Sequence, residues 1–207
     1  MATVLVVRAH PLTSTQSRSM QLTDAFVDAY REQNPGDQIQ ELRLYDVAIP
    51  EIDLDLLSGW GKLGRRVPFS DLTTPEQNKV TLFNGLTTQF QAADKIVLAN
   101  PLWNLNVPTR LKAWIDTICV AGKTFRYNEE GVAVGLVEGK KALHIQTSGG
   151  HFHGQDPACT YVKTMFNFLG VSDFTQITAE GMDHEPANAD AIMEDAFSRV
   201  LETAKGF

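Results

Sequence analysis

The chain has 207 residues, of which 43% are hydrophobic and 21% charged, and its formal net charge at pH 7 is −7. This composition predicts an ordinary globular protein with a single domain over residues 1–207, and it excludes an intrinsically disordered chain. The negative charge argues against nucleic acid and anionic membrane surfaces as partners, because both repel an acidic protein.

Apolar periodicity predicts strands and helices in alternation along the chain. Buried or alternating apolar runs predict five β-strands, at residues 4–7, 39–44, 95–99, 140–147 and 173–178. Helical spacing with turn or proline signals predicts helices at residues 17–33, 108–120, 157–169 and 185–205. A further helix is predicted to begin at about residue 75. Strands interleaved with helices form right-handed βαβ units, so we predict a parallel sheet covered on both faces.

The segment between residues 51 and 74 shows neither period, and we predict an irregular excursion there. It contains Gly59-Trp60-Gly61-Lys62-Leu63-Gly64, which matches the spacing of the dinucleotide-binding fingerprint. That fingerprint needs a strand before it and a helix after it, whereas Pro68 follows closely here. We therefore interpret these glycines as a flexible loop, in which Trp60 and Phe69 form a partner surface or a site wall.

Three loops follow the carboxyl ends of predicted parallel strands, where open α/β sheets bind ligands. The first ends in Ser17-Arg18-Ser19 at a helix start, which suits an anion, although simple N-capping explains one serine equally well. The second, from Pro101 to Pro108, is an extended segment suited to a flat ring. The third, Thr147-Ser148-Gly149-Gly150, lets backbone approach a ligand closely. Together they predict a site for a planar ring with a phosphate tail.

Other chemical motifs are incomplete. Gly122-Lys123-Thr124 ends like a phosphate-binding loop, but the required first glycine is missing. The histidines His144, His151 and His153 lack an acidic third ligand at metal-binding spacing, so we predict no metal site. Ser148 does not lie in a nucleophile elbow.

Targeting signals are also missing from the sequence. No apolar stretch approaches the roughly 20 residues that a membrane-spanning helix needs, and the first residues lack the basic segment of a signal peptide. The two cysteines, Cys119 and Cys159, are too few for a disulfide framework. We expect a cytoplasmic protein whose cysteines are reduced core residues.

The sequence resembles the FMN-dependent NADH-azoreductases, which are also quinone reductases, over nearly its whole length. The residues that carry the resemblance are Ser17-X-Ser19, Pro101-Leu102-Trp103-Asn104-Leu105-Asn106-Val107-Pro108, Leu111-Lys112-X-X-X-Asp116, Gly122-Lys123-Thr124-Phe125-Arg126-Tyr127 and Gly149-Gly150. The resemblance implies a flavodoxin-like α/β three-layer sandwich whose five-stranded parallel sheet has the order 2-1-3-4-5. It also implies a homodimer with two FMN sites at the interface, NADH or NADPH as electron donor, and quinones and azo compounds as acceptors.

The resemblance further implies roles for individual residues, with the chemistry supplied by the flavin rather than by a catalytic side chain. The implied phosphate ligands are Ser17, Arg18 and Ser19. The implied ring contacts are Pro101, Leu102, Trp103, Asn104 and Leu105 along the isoalloxazine, and Thr147, Ser148, Gly149 and Gly150 at its pyrimidine edge. His10 is a further FMN contact where many relatives have serine or asparagine, and Ser148 stands where many have arginine. Phe125, Tyr127 and Phe152 either shape the substrate slot or serve as packing aromatics.

Two other functions remain open from the sequence. A flavodoxin-type carrier would bind FMN but pass single electrons to protein partners, and an FMN-free binding module would use the same fold without the cofactor. The chain length, the excursion at 51–74 and the aromatic residues favour the small-molecule reductase. The choice between NADH and NADPH stays open, because Arg65 and Arg66 are equally compatible with a 2′-phosphate contact and with an ordinary surface.

Overall fold

The computed structural model describes residues 1–207. The strands are β1 (Thr3–Arg8), β2 (Gln38–Arg43), β3 (Lys95–Pro101), β4 (Phe125–Tyr127), β5 (Ala133–Gly135), β6 (Lys141–Thr147) and β7 (Asp173–Ala179). The helices are α1 (Arg18–Gln33), α2 (Leu54–Gly64), α3 (Thr74–Ala92), α4 (Thr109–Ile118), α5 (Pro157–Leu169) and α6 (Ala189–Gly206). Two single-turn 3₁₀ helices lie at Phe69–Asp71 and Pro186–Asn188.

The main sheet has five parallel strands in the order β2-β1-β3-β6-β7. Counted without the small β4–β5 pair, this is the predicted order 2-1-3-4-5, and the predicted fold class is confirmed. Side chains alternate along each strand, so β1 sends Val4 and Val6 to one face and Leu5 and Val7 to the other. Helices α1 and α6 cover the first face, and α3, α4 and α5 cover the second.

A buried arginine holds α1 in place over the sheet. The Arg8 side chain, 7% exposed, lies at the end of β1 between Asp24 of α1 and Glu41 of β2. Its Nη1 is 2.6 Å from Asp24 Oδ1, and its Nε is 2.5 Å from Glu41 Oε2. Because a buried charge requires its partners, this triad fixes the start of α1 relative to the carboxyl edge of the sheet.

The excursion predicted at residues 51–74 is wrong, because most of it is helical. Asp53 caps α2 by accepting a hydrogen bond from the backbone N–H of Leu56 at 3.0 Å. Leu56 is fully buried, and Trp60 packs edge-on against Phe83 of α3 with ring centroids 4.8 Å apart. Trp60 is therefore part of a helix–helix contact and not a wall of the site described below.

The glycines of the Gly-X-Gly-X-X-Gly match lie inside α2 and do not form a flexible loop. Gly59 is buried where α2 meets α3, and a Cβ there would be 3.1 Å from Val80 Cγ2. The small residue lets the two helices approach closely. Close helix packing, and not ligand binding, accounts for this glycine.

The hairpin of β4 and β5 is a second element that the sequence did not predict. It packs on the C-terminal end of α5, where the backbone N–H of Val137 donates to the carbonyl of Leu169 at 3.0 Å. A Cβ on Gly135 would lie 2.2 Å from the backbone nitrogen of Gly170. Since α5 leads into the start of β7, the hairpin lies toward the amino edge of the sheet.

Two negative findings concern the membrane and the cysteines. None of the helices combines the length and the apolar character that crossing a membrane demands. Both cysteines are free. Burial raises the pKa of the Cys119 thiol to about 12 and also raises the pKa of Cys159, so both are protonated thiols at neutral pH.

We predict that Gly135→Ala lowers the free energy of unfolding by at least about 2 kcal/mol, because the added Cβ meets backbone that cannot move aside. Urea denaturation of the apoprotein measures this. Gly85→Ala is the control: it lies within α3 with nothing near a new Cβ, and we expect it to raise stability by about 0.5–1 kcal/mol. Equal effects of the two substitutions would contradict the packing described for the hairpin.

Candidate functional site

A cavity of about 400 Å³ lies at the carboxyl edge of the sheet, beyond the ends of β1, β3 and β6. All three predicted loops contribute to it. Its lining residues are His10, Gln16, Ser17, Arg18, Pro101, Leu102, Trp103, Thr147, Ser148, Gly149, Met182 and Asp183. The volume lies in the usual range of small-molecule sites.

One end of the cavity is built to hold an anion. Ser17 caps α1, accepting from the backbone N–H of Met20 at 3.4 Å, and its Oγ lies 3.2 Å from Ser19 Oγ. Both serines are buried. The first turn of a helix leaves backbone N–H groups unpaired and carries a partial positive charge. Arg18 adds a guanidinium, whose Nη1 is 3.1 Å from Asp183 Oδ1 at the surface. Such a corner fits a phosphate group.

His10 is a neutral hydrogen-bond donor at the cavity wall. Its Nδ1 accepts from the backbone N–H of Leu12 at 2.9 Å, so in the neutral ring the proton is on Nε2. Burial lowers the pKa of His10 below its ordinary value of 6.5. The ring also packs edge-on against Trp103, with centroids 5.3 Å apart.

The loop after β3 forms a tight turn that projects apolar side chains outward. Trp103 and Asn106 exchange backbone hydrogen bonds of 3.1 and 2.9 Å. The two residues between them, Asn104 and Leu105, have φ values of 49° and 60°, as a type I′ turn requires. A leucine in this left-handed region is strained. The turn nonetheless leaves Leu105 54% and Trp103 39% exposed.

The glycine turn after β6 offers only part of the backbone that the sequence predicted. The Ser148 N–H donates to the carbonyl of Ala179 at 2.9 Å, and the Ser148 hydroxyl donates to the carbonyl of Gly150 at 2.8 Å. The N–H groups of Gly149 and Gly150 make no hydrogen bond within the chain. These two glycines therefore supply the free donors at this edge, and Ser148 serves to fix the turn.

Gly149 is required by the segment that packs over it. Its carbonyl accepts from the backbone N–H groups of Asp183 at 3.1 Å and His184 at 3.2 Å. A Cβ on Gly149 would lie 2.2 Å from Asp183 Oδ2. A larger residue would have to displace the Asp183 side chain and with it the ion pair to Arg18.

A chain of buried polar side chains lies beneath the cavity, and the sequence reasoning missed it. His144 Nε2 is 2.8 Å from Asn100 Oδ1, Asn100 Nδ2 donates to Gln146 Oε1 at 3.0 Å, and Gln146 Nε2 donates to Asp156 Oδ2 at 2.9 Å. Each residue is at most 2% exposed. The available signal was the presence of polar residues in strands that are otherwise apolar.

The three predicted substrate-slot aromatics do not line this cavity within one chain. Phe152 lies against the glycine turn, where a Cβ on Gly150 would be 3.1 Å from its ring. Phe125 and Tyr127 lie on β4, where Phe125 packs on Phe168 with centroids 4.6 Å apart. Tyr127 is 61% exposed and does not line the cavity.

Comparison with known proteins decides the family. The family model described as the flavodoxin-like fold matches residues 2–204. An FMN-dependent NADH:quinone oxidoreductase of Bacillus velezensis is 44% identical over 213 residues, which covers 100% of each chain. The chain belongs to the flavodoxin-like FMN-dependent NADH:quinone oxidoreductases. A second flavodoxin-like relative, from Streptococcus suis, is also 44% identical over 208 residues with 100% of each chain covered.

Solved structures agree with this flavodoxin-like assignment. An azoreductase from Bacillus anthracis strain Sterne superposes with a TM-score of 0.91 at 34% identity, and the match covers 100% of both chains. An FMN-dependent NADH-azoreductase from Bacillus anthracis, solved in complex with FMN, gives a TM-score of 0.91 at 34% identity over 99% and 98% of the two chains.

The cavity of this flavodoxin-like chain fits FMN on its own geometry. The anionic phosphate is matched by the buried serine pair and the start of α1. The flat ring is matched by Pro101, Leu102 and Trp103, and the polar ring edge by the free N–H group of Gly149. The predicted ring contacts Asn104, Leu105 and Gly150 are not among the residues that line the cavity.

The buried histidine beneath the site predicts a pH dependence of stability. Burial lowers the pKa of His144 from 6.5 to about 4, which the Asp156 charge partly opposes. Between pH 4 and pH 6.5 His144 binds a proton in the unfolded chain but not in the folded chain. The stabilisation is therefore complete above pH 6.5 and is lost as the pH falls toward 4, by about 3 kcal/mol in total.

We expect this dependence to disappear in His144→Gln. The stability difference between wild type and His144→Gln, measured by urea denaturation from pH 7 to pH 4, should shrink as the pH falls. Leu98→Ala provides the control, since it removes no titratable group and should leave the difference from wild type constant over this range. A constant difference for His144→Gln as well would contradict a neutral, buried His144.

Proposed function

We propose that this chain is an FMN-dependent oxidoreductase that transfers two electrons from NADH to quinones and azo compounds. The observation that carries the proposal is the convergence of three loops on one cavity. The start of α1, with Ser17 and Arg18, forms an anion-binding corner at one end. The turn from Trp103 to Asn106, called the ring turn below, lies at the other end. Full-length relatives at 44% identity support the same activity. Two free thiols are compatible with action in the reducing cytoplasm.

FMN, when bound, supplies the hydride and electron chemistry, and the protein binds and orients it. Ser17, Arg18 and Ser19 would hold the phosphate at the start of α1. The free N–H groups of Gly149 and Gly150 would stabilise negative charge at the pyrimidine edge, because fixed dipoles act strongly where water is excluded.

No side-chain acid is needed at this site. His10, the titratable group on the cavity wall nearest the ring turn, is held neutral and has its Nδ1 engaged by Leu12. The protons that a reduced quinone or azo compound takes up would come from solvent. Donor and acceptor would use the same open face in succession, which gives ping-pong kinetics.

We propose further that the working unit is a homodimer with the sites at its interface. Phe125 and Tyr127 do not line the cavity of their own chain, so a second copy would have to present them to a substrate slot there. The hairpin is suited to such a contact, since Tyr127, Val132 and Leu136 are 61%, 56% and 38% exposed. Light scattering should give twice the mass of one chain.

The activity test uses the purified protein reconstituted with FMN. We expect NADH to be oxidised rapidly only when menadione or an azo dye is present, with parallel lines in double-reciprocal plots. Anaerobically, an equimolar amount of NADH should bleach the bound FMN fully. A protein that binds FMN but is not reduced by NADH or NADPH would instead support the one-electron carrier, and one that never binds FMN would support a cofactor-free module.

The phosphate corner predicts a difference between FMN and riboflavin. Arg18→Gln removes a charged donor from the phosphate end, so the apoprotein should bind FMN about tenfold more weakly. Riboflavin, which has no phosphate, should bind with unchanged affinity. Arg31→Gln, at the exposed C-terminal end of the same helix, is the matched control. An equal loss for both flavins would place Arg18 away from the phosphate.

The glycine turn predicts that Gly149→Val abolishes flavin binding while the domain still folds. The valine would clash with Asp183 as well as with a bound ring, so the double variant Gly149→Val/Asp183→Ala separates the two effects. Flavin fluorescence quenching measures binding, and circular dichroism measures folding. Recovery of binding in the double variant would show that the ring does not lie against Gly149.

A further inference from the structure

The hydrogen bonds that link the buried side chains beneath the cavity, from His144 to Asp156, all run in the same donor-to-acceptor direction. Asp156 ends this chain of hydrogen bonds, and an ionised carboxylate only accepts hydrogen bonds. Asp156 Oδ2 therefore orients the Gln146 amide so that the NH₂ group of Gln146 points toward Asp156. The other carboxylate oxygen, Asp156 Oδ1, accepts from the backbone N–H of Cys159 at 2.9 Å. Gln146 then presents its oxygen to Asn100, which must present NH₂. The Asn100 oxygen finally accepts from His144 Nε2.

This direction leaves Asn100 with a second N–H, and that hydrogen goes to the ring turn. Asn100 Nδ2 lies 3.0 Å from the carbonyl oxygen of Pro101 as well as 3.0 Å from Gln146 Oε1. The NH₂ group thus uses both of its hydrogens. Reversing the amide would place an oxygen against the Pro101 carbonyl oxygen.

The peptide unit between Pro101 and Leu102 is consequently held at both ends. Its carbonyl accepts from Asn100, and its N–H donates to the carbonyl of Thr147 at 2.8 Å. One bond comes from beneath the cavity and the other from the third loop. This peptide unit directly precedes the strained turn that carries Trp103, Asn104 and Leu105. A turn with positive φ values persists only when the surrounding structure holds it, and these two hydrogen bonds do so.

We propose that Asn100 is a positioning residue for the flavin ring: its amide, oriented through Gln146 by Asp156, fixes the Pro101–Leu102 peptide from which the ring turn extends. The proposal rests on the FMN site proposed above. Asn100 itself lines no part of the cavity and acts only through the backbone. Its effect should fall on the ring and not on the phosphate.

The first test compares two substitutions on the same strand. Asn100→Ala should weaken binding of both FMN and riboflavin to the apoprotein about tenfold, with the ratio of the two affinities unchanged. Leu98→Ala is the control, since Leu98 is buried two residues earlier on the same face of the sheet. It should lower the melting temperature of the apoprotein at least as much and leave both affinities within about twofold of wild type.

The second test exchanges the residue types at positions 100 and 156, the two hydrogen-bond partners of the Gln146 amide. In Asn100→Asp/Asp156→Asn, Gln146 can reverse, donate to the new carboxylate and accept from the new amide, and His144 Nε2 can still donate. Each side-chain hydrogen bond between His144, residue 100, Gln146 and residue 156 again has a donor and an acceptor, and charge is conserved. The donor to the Pro101 carbonyl is lost, and a carboxylate oxygen, which cannot donate, takes its place beside that carbonyl. We expect the double variant to regain most of the melting temperature lost in Asn100→Asp, while riboflavin binding stays weak.

These outcomes separate positioning from general stability. Flavin affinity that recovers with the melting temperature in the double variant would overturn the proposal, as would an equal affinity loss in Leu98→Ala and Asn100→Ala. Wild-type protein that fails to bind FMN would instead overturn the proposed function. If the aspartate variants do not fold, the comparison of the two alanine variants decides alone.

Discussion

The reversal of strand order between β1 and β3 is the constraint on which the site depends. The segment after β1 leads into α1 on one face of the sheet, and the segment after β3 leads into α4 on the opposite face. The two connections must diverge, and a crevice opens between them at the carboxyl edge. The phosphate end follows from α1, because its first turn points into this crevice, and the ring turn follows from the loop before α4.

The strands beneath the crevice are apolar along most of their length but polar at their carboxyl ends. β3 carries Asn100 one residue before its end, and β6 carries His144 and Gln146, all fully or almost fully buried. The two amides of this chain are hydrogen-bonded as far as Asp156, the N-cap of α5, which lowers the cost of burying them. The same groups that satisfy this interior also hold the backbone on which the ring turn stands, so stability and ligand geometry share one network.

The strands and the three site loops were predictable from the sequence because each has a strong local signal: apolar runs, and serines or glycines directly after them. The strand order has no such signal and followed from the resemblance to a known family. The helix at Leu54–Gly64 was not predictable, because its three glycines hide the apolar spacing, and the role of Gly59 becomes visible only against Val80 of α3. The short β4–β5 hairpin was missed because it depends on packing against α5. The buried amide chain required three-dimensional distances, since its members are up to 56 residues apart in the chain, from Asn100 to Asp156.

A crystal structure of the purified protein grown with FMN would show where the flavin binds. We expect phosphate density within hydrogen-bonding distance of the Ser17 and Ser19 hydroxyls, and ring density between the turn at Pro101–Leu105 and the N–H groups of Gly149 and Gly150. A protein that carries FMN by its absorption spectrum, but shows the flavin elsewhere on its surface with this crevice closed by side chains, would contradict this placement.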